Sequence, residues 1–443
     1  MATISLILLT VTCAWSQTSH PRQADKLSLD QALDLAYQNN REVKNAGLEV
    51  QKAADDIEAA TTRFFPSLHF EALESYNLTE QSYRFDKGTW GTYPGIGPIP
   101  RENVEIDTHT GFTTALSATL SQPLSQLYRI DLSVEQHHIK KEMAEEEFRA
   151  KQQSVAKEVK DTYYKVLQKQ SALEATEESI IFYRELDKLT ERYFQEKTVL
   201  KSEELEVKTR LAKAELQALT QKNDLADEKE RLNNLMGRDI TSPVNLIQVP
   251  AGTEYEVNLE AAQALALKQR PEIRESKLEL SYAENSRSIK KSEYIPDLWF
   301  KARYDKLFEV DLIPDGAASV ELLLRWEFFD WGRKQSELSA KSKDIQKARN
   351  NIRETRDQVI LQVNQVSRKL QEARARLKVA ALSRATSREK LRITMQQFKQ
   401  KAVLLKSLLQ AETEVAEANR QYKDALLAFW KTKAAFEKAL GEA

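Results

Sequence analysis

Cysteine is nearly missing from this chain: one in 443 residues, at Cys13. That excludes an intramolecular disulfide framework and a cysteine-built metal site. Glycine and proline are scarce, 11 of each, so few positions can break regular structure. Charge of either sign is not in excess. Lys and Arg number 66 against 67 Asp and Glu, a net charge of −1, which gives no basic surplus for nucleic acid. Beyond residue 16 no apolar run approaches about 20 residues, so no transmembrane helix is expected. What is present is 30% charged and 41% apolar, a profile of long helices with broad solvated faces.

Chemistry-bearing sets are missing too. His20, His69, His109, His137 and His138 have no metal-ligand spacing, and the adjacent His137 and His138 point apart on a helix. There is no glycine-rich phosphate loop and no Ser/His/Asp context. The reading is therefore of a non-enzyme without cofactor or metal. Residues 4–12, "ISLILLTVT", form a short apolar core followed by small residues Ala14 and Ser16. A signal peptide over 1–16, cleaved before Gln17, is expected, with an N-terminal extension at 17–27.

The breakers are unevenly placed. No Gly or Pro falls between Asp131 and Met236, or between Arg333 and Leu440. Spans of that kind predict very long helices or helix pairs. Ile352, Val359, Val366, Ala373 and Ala380 recur every seven residues, interleaved with Val363, Leu370, Leu377, Leu391 and Phe398. This is a coiled-coil seam, echoed more loosely by Val159, Val166, Leu173 and Ile180.

The chain is also an internal duplication. "LDQALDLAYQNNREV" at 29–43 aligns with "LEAAQALALKQRPEI" at 259–273, and "FFPSLHF" at 64–70 with "YIPDLWF" at 294–300. Further on, "QPLSQLYR" at 122–129 lies over "WEFFDWGR" at 326–333, and the stop "LNNLMG" at 232–237 over "FEKALG" at 436–441. The offset shrinks where the first repeat carries a Gly/Pro-rich loop near 81–106, against a short counterpart near 309–316. Two repeats follow, at 28–238 and 258–443, joined by a linker at 239–257. Each is expected to run short helix, two strands, long helix, short helix. In the first, helices at 28–61 and 203–236 flank one at 131–196. At about 1.5 Å per residue the long helix measures near 100 Å, too long to fold around a globular core.

The strands alternate. Phe112, Leu116, Ala118 and Leu120 share a face opposite Thr113, Ser117 and Thr119. Leu298, Phe300, Ala302 and Tyr304 oppose Lys301, Arg303 and Asp305. Val320, Leu322, Leu324 and Trp326 oppose Glu321 and Arg325. Segments of about ten residues with one apolar and one wet face fit a membrane barrel with a polar lumen, which puts Leu322, Leu324 and Trp326 against lipid. An open sheet edge is not tolerated in lipid. Four strands cannot close on themselves, since about eight are needed, so the barrel must be shared between chains.

Taken in order and at these spacings, the duplicated openings, "FFPSL" and "YIPDL", "FFDWGRK" and the two glycine stops resemble the TolC-like outer-membrane efflux proteins. The resemblance covers nearly the whole mature length. It implies a mainly α fold with a membrane β-barrel portion, in which a homotrimer shares a 12-stranded barrel. Long antiparallel coiled-coil helices continue it as a periplasmic α-barrel tunnel. It further implies a cell outer membrane location, reaching into the periplasm. The role implied is a passive exit duct of a tripartite efflux or type I secretion system. The partners would be a periplasmic adaptor, an inner-membrane pump and outer-membrane lipid. The turns at 196–205 and 400–409 would form the periplasmic tip, with Val199, Leu200, Val403, Leu404 and Leu405 as an exposed apolar docking cluster. Relatives often carry glycine in these turns, and this chain has none. Where relatives narrow the tip with Asp, this chain has Ser407 and Gln410; the first-repeat equivalents Glu203 and Glu206 are the candidate acidic constriction. Two other readings are a soluble coiled-coil scaffold and a periplasmic adaptor. The first leaves the duplicated strands unexplained, and the second requires a lipoyl-like domain that is not seen.

Overall fold

The computed structural model describes residues 26–79, 82–107, 111–197, 199–250, 258–308, 316–400 and 402–442. The expected signal segment at 1–16 with Cys13, most of the extension at 17–27, the end of the linker at 251–257 and nearly all of the short loop at 309–316 lie outside the described residues. The helices are α1 (Leu29–Asn39), α2 (Arg41–Thr61), α3 (Leu127–Gln195), α4 (Lys201–Leu235), α5 (Leu259–Gln269), α6 (Pro271–Ser292), α7 (Arg333–Lys399) and α8 (Leu405–Leu440). The strands are β1 (Ser67–Asn77), β2 (Ser82–Phe85), β3 (Thr92–Tyr93), β4 (Gly97–Pro98), β5 (Val104–Asp107), β6 (Gly111–Pro123), β7 (Asp297–Phe308) and β8 (Gly316–Arg325). Among the described residues no helix is long and apolar enough to cross a membrane.

The chain divides into two compact units. One comprises 46–148 and 271–357 and holds the sheet. Its four main strands pair antiparallel in the order β1-β6-β7-β8, so β1 and β8 are edges. The register aligns the apolar positions across the strands. Leu68 faces Leu120, Leu120 faces Ala302, and Ala302 faces Val320; Phe300 faces Leu322 and Leu298 faces Leu324. Leu68, Phe70, Val320, Leu322 and Leu324 are all exposed on this face, at 63–73%. The other face pairs Ser121 with Lys301, Lys301 with Glu321, and Thr119 with Arg303. The apolar band gives way at Glu74 and Lys306, near the strand ends next to the loops. The long first-repeat loop is itself structured, with β2 paired to β5 and β3 to β4.

Trp326 departs from the expected strand. β8 ends at Arg325, whose partner is Asp297. The next partner in register would be Pro296, which has no N–H to offer the ladder. Trp326 therefore stands just past the strand, 59% exposed, beside Phe328.

The other unit comprises residues up to 45, 149–270 and 358–443. Part of the predicted seams lies in its core: Val159, Val166 and Val363 have no exposed surface and Leu370 has 3%, while Val366, Ala373, Leu377 and Leu391 are half-buried. Each fully buried side chain contributes roughly 1.5–3 kcal/mol on burial. Ties between helices run α4 to α3 (Lys169–Asp224, 2.6 Å; Arg184–Glu215, 2.8 Å), α3 to α8 (Lys160–Glu437, 2.8 Å) and α8 to α7 (Lys390–Glu414, 2.6 Å).

The helix expected at 28–61 is two helices, and so is its counterpart in the second repeat. Asn40 leaves the helical region (ψ 131°), and its Oδ1 accepts from the backbone of Glu42 and Val43, capping α2. In the second repeat the break falls at Arg270 (ψ 130°), ahead of Pro271, since proline disfavours a helical residue before it. The two glycine stops pack on these breaks. Gly237 and Gly441 hold left-handed caps with φ of +65° and +87°. A Cβ on Gly237 would stand 2.4 Å from the Asn39 carbonyl oxygen, and one on Gly441 3.0 Å from the Gln269 carbonyl carbon. The last helix of each repeat thus ends in contact with the broken first helix of the same repeat, and only glycine fits there.

Candidate functional site

The turns that follow α3 and α7 both lack glycine. α3 ends at Gln195, and Lys197 takes the left-handed conformation (φ 59°) that a glycine would otherwise fill. Leu200 and Leu404 then occupy equivalent N-cap positions in extended backbone, with no side-chain cap. Neither apolar side chain covers the helix start, and they are 69% and 74% exposed.

The expected docking cluster is only partly exposed. Val199 and Val403 are half-buried, and Val403 packs against the buried cluster around Leu408. Leu405 is buried, at 3% exposure, which corrects its assignment to the exposed cluster. It opens the inward row Leu405, Leu408, Leu409 and Glu412 on α8. That row meets Tyr183, Leu186 and Val207 of α3 and α4. The helix starts there, and a 3,4-spaced row turns its first member inward.

The two glutamates singled out by the resemblance are each engaged by their own helix. Glu203 accepts a hydrogen bond from the Leu200 backbone N–H at 2.9 Å, placing its charge at the α4 N-terminus. Glu206 pairs with Arg210 at 3.1 Å.

Two further carboxylates were not singled out. Glu204 has 4% of its side chain exposed and is gripped by Lys201 (2.6 Å) and Lys208 (2.8 Å). Hydrogen bonds from Lys201 and then Lys208 hold it below the ordinary carboxylate range. Glu204 occupies the seam position that Leu408 fills in the second repeat, with no exposed surface. The repeat comparison carried that signal: a charge in an apolar row, with lysine three residues before and four after. Glu412 is buried between α3 and α8, accepting from Tyr183 Oη at 2.5 Å and Ser179 Oγ at 3.0 Å. Burial first, then this bond, pushes Tyr183 up to about 12. Ser179, Tyr183, Arg210 and Glu412 line a cavity of about 360 Å³ between α3, α4 and α8. The arrangement leaves Leu200 and Leu404 exposed at the turns, with polar ties among the helices beside them.

The model of a family described as outer membrane efflux protein matches residues 32–238 and 263–442. No curated protein matches the chain. Among solved structures, the CmeC outer membrane channel of Campylobacter jejuni is 16% identical with a TM-score of 0.76, over 93% of this chain and 85% of that one. The outer membrane protein VceC of Vibrio cholerae is 15% identical with a TM-score of 0.73, over 94% and 96%. The open state of the MtrE outer membrane channel of Neisseria gonorrhoeae is 15% identical with a TM-score of 0.72, over 94% and 89%.

Proposed function

The chain belongs to the outer membrane efflux protein family, and from that premise we propose that it is a passive, non-enzymatic exit duct. It works as a homotrimer in the outer membrane, extending into the periplasm, and serves a tripartite efflux or type I secretion system. The observation that carries this reading is the sheet. Leu68, Leu120, Ala302, Val320, Leu322 and Leu324 align across four strands onto one face, Lys301, Arg303 and Glu321 onto the other, and both edges are open. In water the apolar face would be a liability, and in lipid an open edge would be one. Three copies edge to edge give 12 strands and remove both. Leu322 and Leu324 then meet lipid, Trp326 sits at the rim of the band, and Lys301, Arg303 and Glu321 line the lumen.

In the helical unit, Leu200 and Leu404, flanked by Val199 and Val403, supply the apolar points that a periplasmic adaptor covers, linking the duct to an inner-membrane pump. Glu203 and Glu206 supply acid near the mouth. A soluble scaffold or an adaptor accounts for the helices but not for the two-faced sheet.

The purified protein in planar bilayers should conduct ions without an energy source. Replacing Glu203 and Glu206 together by Gln should lower cation preference without closing the pore. Recovery only in the soluble fraction, with no conductance, would discard the duct; unchanged selectivity would discard the acidic mouth alone.

A further inference from the structure

Where the sheet meets its helices, on the charged face, lies a cavity of about 710 Å³. All of its walls belong to the unit that holds the sheet. Register sets the wall formed by the strands. Ser67 faces Ser121, Ser121 faces Lys301, and Pro123 faces Trp299, two residues from Lys301 along β7. Alternation puts all of these on the side of Lys301 and away from that of Leu68 and Leu120. The other walls include the short helical turn Thr62–Phe64, which leads from α2 toward β1, and the start of α3, through Gln126, Arg129 and Ile130.

Hydrogen bonds fix these walls. Gln122 Nε2 donates to the Phe64 carbonyl at 3.0 Å. Ser125 Oγ donates to the Pro296 carbonyl at 2.7 Å and accepts from the Leu298 N–H at 2.8 Å, tying the approach to α3 onto β7. The cavity is therefore formed before any ligand arrives. Its size falls within the range of roughly 300–1,000 Å³ that small-molecule sites occupy.

The lining has two characters. Phe65, Pro66, Ile130, Ile289 and Trp299 give apolar and aromatic surface. Arg63 and Arg129 give positive charge, and among the described residues no carboxylate lines the cavity. Arg129 is already engaged, by Asp297 at 3.3 Å and by Ser292. Arg63 is exposed, and among the described residues its guanidinium has neither an ion pair nor a hydrogen bond. Lys301 and Glu321 face one another in register and add no net charge. A guanidinium grips a planar acid group through two parallel N–H···O bonds, and an indole offers its face or edge to a second ring. A neutral ligand leaves Arg63 unused, and a cation is repelled by both arginines.

We propose that this cavity is a binding pocket for aromatic organic anions, carboxylates or sulfonates, with Arg63 meeting the acid group and Trp299 the ring. The pocket goes beyond the duct reading, since one unit of one chain builds it. On that reading the charged face borders the lumen, so the ligand arrives from inside the duct.

The test is calorimetric titration of naphthalene-2-sulfonate into the purified protein in lipid nanodiscs. The probe should bind saturably, and Arg63→Gln should weaken it about tenfold or more, as a lost charge-assisted hydrogen bond does. Arg63→Lys should keep part of the affinity. Trp299→Ala should weaken binding, and Trp299→Phe should restore most of it. Arg303→Gln, on the same face but outside the cavity, should bind like wild type. No saturable binding by the wild-type protein overturns the pocket. So does an equal loss in Arg63→Gln and Arg303→Gln, which would mark a general field along the face. Binding that no variant changes is an adventitious additive only and overturns it as well. Arg63-dependent binding by a protein that conducts nothing in planar bilayers upholds the pocket and discards the duct.

Discussion

Leu404 and Leu405 are adjacent, and their surroundings are opposite: one is 74% exposed and the other 3%. Leu404→Asp, or Leu200→Asp at the equivalent position, puts a charge where water already reaches. Trimer and membrane insertion should survive while export is lost, read by substrate efflux from cells beside a native gel. Wild-type export by both variants would remove these leucines from the docking surface. Leu405→Ala should instead cost roughly 2–5 kcal/mol of the stability of that buried cluster, seen as an earlier thermal transition. Sequence alone grouped these residues because both are apolar and flank a turn. Which one points inward depends on the rotation at which the chain enters α8, and the glycine-free turn left that rotation unmarked. Glu204 escaped for a related reason. A carboxylate between two lysines is ordinary on a solvated helix, and only its alignment with the buried Leu408 shows that it lies on the seam.

At the scale of elements, periodicity was the readable signal. Val159, Val166, Val363 and Leu370 were placed in seams by a seven-residue recurrence, and they are buried. The strand pairs were readable for the same reason: alternation survives whatever the strand packs on. The break at Asn40 was not readable, because its cap is an asparagine inside an unbroken apolar pattern; the break at Arg270 had a proline after it to mark it. Trp326 was extended into a strand by alternation that ignored Pro296 in the partner. The face assignment makes its own prediction. Leu322→Arg or Leu324→Arg places a charge in the apolar face and should cost about 2–4 kcal/mol near the bilayer centre, read as lost trimer in outer-membrane fractions. Glu321→Arg, on the opposite face, should assemble better. Equal losses would mean that the two faces are not lipid and lumen.

For the whole molecule, the sheet and the helices should not depend equally on assembly. The helices of a single chain share a buried core, with Tyr183, Leu186, Val207, Leu408 and Leu409 at 7% exposure or less. Those side chains are covered by helices of their own chain. The sheet has no such core on its exposed face, and each edge strand leaves a row of N–H and C=O groups unpaired. Four isolated strands are short of the closure that a membrane sheet requires. Dissociating the trimer in detergent should therefore remove β-structure first. Circular dichroism should show the strand signal falling with the trimer population measured by mass photometry, while most of the helical signal persists to a higher denaturant concentration. A stable monomer that keeps its full β-content would show that four strands suffice, and the shared barrel would fall with that result.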